Sequence, residues 1–233
     1  MFIFAHIFTG ALLGLVFWHL TNDRRAVPLC IAASILPDVI DKSLGLLVPS
    51  VLGGGRTVSH SLMMVCVILI LCLLLFVRSR FALLGAGVAC ALLLHQIFDE
   101  MWILPANWFY PLLGPFQGEM IPEYIGVYFW LEITNPSEWM FLIASVAILA
   151  ASYGDMLPIP RASLADTLQA GTYTLVAVVL MITGLYLVFT GLTSTTDTFM
   201  TPTYYHVTTV FTGLLAVCGA VVMSRETFDT TRR

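Results

Sequence analysis

Residues 81–102 read FALLGAGVACALLLHQIFDEMW. Nothing between Phe81 and Leu94 is charged, and then His95 and Asp99 arrive in a run that stays apolar around them. An α-helix over this stretch is roughly 33 Å long, enough to cross a hydrocarbon core about 30 Å thick. An ionisable group in such a helix costs roughly 2.5–3.5 kcal/mol on insertion scales, so it is a functional residue by default. His95 and Asp99 are spaced i, i+4 and share one helix face, one turn apart. A nitrogen and an oxygen so placed can reach one metal ion; they can equally satisfy each other by a hydrogen bond.

Working outward, the hydrophobic runs predict seven helices at about 2–20, 26–40, 57–77, 81–102, 136–153, 169–192 and 204–223. The chain is 59% hydrophobic and 10% charged, against about 25% charged in a soluble domain, so it is expected to be an all-α polytopic transmembrane bundle. The second helix is expected to be short: fifteen residues give roughly 22 Å. A net charge of −4 and the lack of any basic run beyond Arg24-Arg25 exclude a nucleic-acid partner. The five cysteines lie in apolar stretches without a CxxC pair and read as small buried thiols. The first twenty residues lack a basic n-region, and their arginines follow the apolar run, which favours a retained first helix over a cleaved signal.

Charge decides the orientation. With seven crossings, one side receives Arg24, Arg25, Arg78, Arg80, Arg161, Arg225, Arg232 and Arg233, and the other only Lys42 and Arg56. The positive-inside rule then puts the N-terminus outside and the C-terminus in the cytoplasm, with Arg78-Ser79-Arg80 as a tight cytoplasmic turn. The same assignment places His6, Asp38, His60, His95 and Asp99 together in the outer half of the membrane. His19 beside Trp18 and His206 beside Tyr204-Tyr205 read as interfacial.

His and Asp are the usual ligands of zinc and related divalent ions. Asp38 and Asp41 in ILPDVIDK are three residues apart, Asp38 as a ligand and Asp41 as a second ligand or its supporting partner; a helix end with Asp41 paired to Lys42 or Arg56 fits as well. In GGGRTVSHS, Gly53-Gly54-Gly55 allows a sharp turn into the third helix, with Thr57 or Ser59 as its cap, and Arg56 offers a planar fork to phosphate oxygens. Lys42 and Arg56 are the basic side chains on the acidic outer side, beside the carboxylate and histidine motifs. The outer loop 103–135 is rich in Trp, Tyr and Phe, an interfacial belt or a lipid-contact surface, and Pro105, Pro111, Pro115 and Pro122 oppose a regular helix throughout it. Glu100, Glu119, Glu123 and Glu138 also fall outside and are candidate bases or ligands, with nothing in their spacing to select one.

Taken as an ordered set, His6, LPDVIDK, GRTVSHSL, LLLHQIFDE and WFYPLLGPFQG resemble the signature of the membrane-bound, metal-dependent hydrolases of bacteria and archaea, over residues 1–118. That family is distantly similar to zinc-dependent phospholipase C. The resemblance implies that His6, Asp38, His60, His95 and Asp99 are metal ligands. A second HxxxE motif is missing, so one or two ions are expected rather than three.

The expected organisation is a metal-site module at 1–118, followed at 119–233 by the remaining outer loop and three apolar helices. The expected activity is hydrolysis of a lipid or lipid-linked phosphoester at the outer membrane face, with zinc as the ion and manganese or magnesium as alternatives. Asp41 or an outer glutamate would act as base, and Arg56 with Lys42 would hold phosphate. The competing readings are a metal or proton transporter and a protein with a structural metal. Confinement of the ionisable residues to the outer half, with no polar track continuing inward, favours the enzyme.

Overall fold

Helices α1 (Ile3–Thr21) and α2 (Ala26–Leu47) lie against one another so closely that a Cβ at Gly10 or Gly14 would meet α2 backbone at under 3 Å. Gly10 faces Cys30, Ile31 and Ser34 while Gly14 faces Ala26 and Val27, the pairing order of antiparallel helices. Small residues four apart allow this approach, which is how helices associate when lipid leaves no hydrophobic drive between them. The computed structural model describes residues 3–47, 55–76, 81–117, 124–153, 163–193 and 202–230. The further helices are α3 (Leu62–Phe76), α4 (Phe81–Phe98), the single turn α5 (Pro105–Trp108), α6 (Tyr124–Thr134), α7 (Pro136–Tyr153), α8 (Ser163–Thr193) and α9 (Pro202–Thr230). The described residues are mostly helical and include no strand, as expected for an all-α bundle.

The chain divides into two compact units, Met1–Asn135 and Pro136–Arg233. In the first, α2 packs on α1 and α4, α1 also meets α4, and α3 lies along α4. The apolar core between them holds Cys30, Ala33, Val65, Ala89, Ala91 and Leu92. In the second, α8 and α9 pair along their length with α7 beside them, and Gly184 and Gly213 each meet the other's carbonyl.

Burial is inverted relative to a soluble protein. Met63, Val67, Ile70, Leu71, Leu73 and Leu74 of α3 face outward, as do Leu175, Ile182, Phe189 and Leu192 of α8. His6, Asp38, Asp41, His60, His95, Gln96 and Asp99 are inside. Apolar faces this large are tolerated where lipid is the solvent. Four described segments are long and apolar enough to cross a membrane, Ile3–Thr21, Phe81–Phe98, Gly171–Thr193 and Val207–Ser224. Leu62–Leu74 and Pro136–Ala150 are shorter apolar helices.

Three expectations change. The second helix is not short: it runs for 22 residues, through Pro37 and past Asp38 and Asp41. A carboxylate stops an apolar helix only if it needs water, and both of these find partners inside the protein. The third helix starts at Leu62, with Ser61 Oγ accepting the Met64 N–H at 3.4 Å. Ser61 is therefore its cap rather than Thr57 or Ser59, because residues 58–60 are drawn into a separate 3₁₀ turn. The outer loop also contains α6, whose sequence YIGVYFWLEIT has no proline. Gly53, Gly54, the Arg78-Ser79-Arg80 turn, Glu119, Pro122 and Glu123 lie outside the described residues, as does the side chain of His206.

Candidate metal centre

The site begins with Asp41, whose carboxylate gathers the backbone of the neighbouring segment. Asp41 Oδ2 accepts the Thr57 N–H at 2.6 Å and the His60 N–H at 3.3 Å, and Oδ1 accepts the Ser59 N–H at 3.2 Å. These amides precede α3; the His60 N–H is shared with the Thr57 carbonyl at 3.2 Å, and the carboxylate from α2 serves the Thr57 and Ser59 amides as well. Ser59 Oγ adds a bond to the Pro37 carbonyl at 2.9 Å, using an acceptor near the proline in α2. The result is the turn Val58–His60, which presents the His60 ring inward.

Asp41 Oδ2 also accepts a hydrogen bond from His60 Nδ1 at 2.8 Å. A carboxylate can only accept, so Nδ1 carries a proton, and in the neutral ring Nε2 is the atom with the free lone pair. His95 is set the same way by a different partner: its Nδ1 donates to the Ser34 carbonyl at 2.7 Å. The two Nε2 atoms then point at each other, 3.1 Å apart and fully buried. Facing lone pairs repel, and a cation between them, a proton or a metal, is needed to hold them there.

The surroundings favour more than one positive charge. His60 Nε2 lies 3.7 Å from Asp38 Oδ1 and 3.7 Å from Asp99 Oδ2, and His95 Nε2 lies 4.0 Å from Asp99 Oδ2. Ligand atoms of Asp38, His60, His95 and Asp99 all fall within 4.8 Å of one another. Bond lengths of about 2.0–2.1 Å put the corners of a zinc tetrahedron about 3.3 Å apart. The observed spacings bracket that value, and the two-imidazole, two-carboxylate set suits a divalent first-row ion. These four residues can hold a metal ion.

His6 stands behind this set rather than within it. Its Nε2 donates to Asp99 Oδ1 at 3.0 Å, and its ring lies 4.0 Å from that of His95, centroid to centroid. Its Nδ1 is buried without a hydrogen-bond partner among the described residues. The i, i+4 pair of the sequence therefore does converge, with Asp99 turned toward the ring nitrogens by His6. Arg56 and Lys42 flank the cluster: Arg56 Nη2 is 3.4 Å from Asp99 Oδ2, and Lys42 Nζ is 2.8 Å from Asp38 Oδ2. The Lys42 contact is an ion pair whose angles fall outside hydrogen-bond geometry, since Asp38 Oδ2 has no hydrogen bond. Both basic side chains remain partly exposed, so they form the boundary between the buried carboxylates and the outside of the unit.

Several supporting residues are not apparent from motif spacing. Gln96, between His95 and Asp99, donates to the Ser59 and Ser61 carbonyls at 3.3 and 3.1 Å and accepts from Trp108 Nε1 at 3.0 Å. A fully buried amide in an apolar run was the available signal. Asn107 donates to the Arg56 carbonyl at 2.7 Å, tying the outer loop to the phosphate-binding candidate. Ser34 acts through its backbone oxygen, which leaves no mark on sequence. Glu132 of α6 is half-buried, with Lys42 and Asp38 among the charges that act on it, and Glu100, next to Asp99 in the chain, is buried.

Comparison with known proteins places the chain. The model of the YdjM inner membrane protein family matches residues 1–196, and the chain belongs to that family. It is an integral membrane protein, by that membership and by its four apolar spans. No curated protein and no solved structure matches it. The family description names the membrane and says nothing of hydrolysis.

Proposed function

We propose that this protein is a membrane-embedded, metal-dependent hydrolase that cleaves a phosphoester of a lipid or lipid-linked substrate at the outer membrane face. The observation that carries the reading is the pair of imidazole Nε2 atoms, each ring anchored through its Nδ1–H, converging 3.1 Å apart beside two buried carboxylates. Asp38, His60, His95 and Asp99 would hold the ion, zinc by donor chemistry, with manganese or magnesium as alternatives. A divalent ion bound there supplies Lewis acidity and makes water nucleophilic near neutral pH.

The chain's own groups supply the rest. Asp41 and the Ser34 carbonyl fix the two imidazole tautomers, and His6 fixes the carboxylate of Asp99. Asp41 is spent on four hydrogen bonds, so the orienting role suits it better than that of base. Glu132, on which the charges of Lys42 and Asp38 act, would serve as the base that accepts a proton from water. Lys42 and Arg56, already at the edge of the cluster, meet the phosphate oxygens and the charge that grows on them. Seven crossings with an outside N-terminus, and hence a site at headgroup depth, complete the proposal.

Purified protein reconstituted in phospholipid vesicles tests it by metal content and phosphate release. His60→Ala and Asp99→Ala should lose both together, whereas Glu132→Gln should keep the metal and lower kcat about 10²-fold or more. Zinc or proton flux across the same vesicles without lipid cleavage would instead establish transport.

A further inference from the structure

Residues 101–117, MWILPANWFYPLLGPFQ, contain no Asp, Glu, Lys, Arg or His, although they form a loop rather than a span. The loop is closed at its base. Asn107 Nδ2 donates to the Gln117 carbonyl at 2.6 Å, and the Gln117 N–H returns a bond to Asn107 Oδ1 at 2.7 Å. Above this clamp, Tyr110 stacks on Phe116 with centroids 4.0 Å apart. The chain reverses at Gly114, where φ is +118°, a conformation suited to glycine. What projects beyond the stack is Leu112, 84% exposed, and Leu113, 58% exposed. A surface loop meant for water carries polar residues at its tip; this one carries two leucines on a braced stem.

The stem is also joined to the candidate site. Asn107 holds the Arg56 carbonyl, and Trp108 holds Gln96, whose amide group in turn holds the carbonyls on either side of His60. The amide that clamps the loop thus also positions the phosphate-facing arginine.

We propose that residues 107–117 form a finger whose Leu112–Leu113 tip inserts into the acyl region of the bilayer, selecting a membrane-resident phospholipid as substrate over a water-soluble phosphoester. The occupant is lipid because the chain is an inner membrane protein, the segment is uncharged throughout, and its aromatic residues are those that settle at headgroup depth. With its acyl chains beside the finger, a phospholipid would bring its phosphate toward Arg56. The substrate part of this inference rests on the proposed hydrolase reading; the insertion of the tip does not.

The experiment has two arms, both on the full chain in phosphatidylglycerol–phosphatidylethanolamine vesicles. In the first, the photoreactive residue p-benzoyl-phenylalanine replaces Leu112, and adducts are identified by mass spectrometry after illumination, with the outward-facing Leu74 of α3 as lipid-facing reference. Lipid adducts at a yield comparable to the Leu74 reference are expected. Adducts only to protein, or none, would overturn insertion. In the second, the double variant Leu112→Asp, Leu113→Asp should cleave vesicle phospholipid at least tenfold more slowly while hydrolysing bis-p-nitrophenyl phosphate within twofold of the parent. Equal losses on both substrates, or none on either, would overturn the selection of lipid. Lipid adducts together with no turnover of any phosphoester by the parent would leave the finger standing and defeat the hydrolase reading and the lipid-substrate inference with it.

Discussion

The two units of this protein bury different things. Met1–Asn135 encloses His6, Asp38, Asp41, His60, His95, Gln96, Asp99 and Asn107, whereas the fully buried residues of Pro136–Arg233 include Phe141, Ala144, Leu180, Ala216 and Ala220. The second unit is held by close helix contact, Gly184 on Gly213, which needs only small side chains. The first uses the same device between α1 and α2 and adds a polar interior, each member of which must find a partner or be costly. A polar interior that elaborate is not required to pack helices in lipid. Among the described residues the second unit buries the separate polar side chains Glu138 and Ser145, whereas the clustered histidines and aspartates lie in the first, which marks where the chemistry lies.

That contrast can be broken most severely at the ligands. His60→Ala should abolish metal retention, measured as metal per protein after dialysis, while the same substitution chemistry at a buried apolar position of the second unit, Leu180→Ala, should leave it intact. Next in size is Asp41→Asn, which keeps the shape but weakens acceptance from His60 Nδ1 and three backbone amides. Loss of such an outer partner typically lowers metal affinity about 10–100-fold, readable by competition with a chelating dye. Gly14→Leu and Gly213→Leu then separate the units. Both force a side chain into helix backbone, an overpacking cost of about 1–3 kcal/mol. Thermal denaturation in detergent should show both losses, but only Gly14→Leu should weaken the metal, by displacing the helix that carries Asp38 and Asp41. The smallest effect is expected from Ser61→Ala, where loss of the cap costs about 0.5–2 kcal/mol and shows as faster amide exchange at the start of α3.

Much of this was readable in the chain, for identifiable reasons. Apolar runs specify membrane helices because lipid demands them, so α1, α3, α4 and α7 to α9 follow from hydrophobicity. The charged residues inside those runs drew attention to Asp38, His60, His95 and Asp99, and these do come together. Sequence reading failed where partners lay far along the chain. Asp38 and Asp41 read as a helix end, yet α2 continues because Lys42, His60 and the amides of Thr57, Ser59 and His60 satisfy them. Ser34 and Asn107 escaped notice because a backbone carbonyl, or an amide bound to one, has no sequence pattern. The separate standing of His6, behind Asp99 instead of beside it, depends on the packing of α1 against α4, which spacing cannot supply.

Absorption spectroscopy at the metal edge of the zinc-loaded protein bears most directly on the central claim. Two imidazole nitrogens with carboxylate oxygens are expected in the coordination sphere, at about 2.0–2.2 Å, and no sulfur. A sphere containing cysteine sulfur, or zinc that leaves on dialysis as readily from the parent as from His60→Ala, would contradict it.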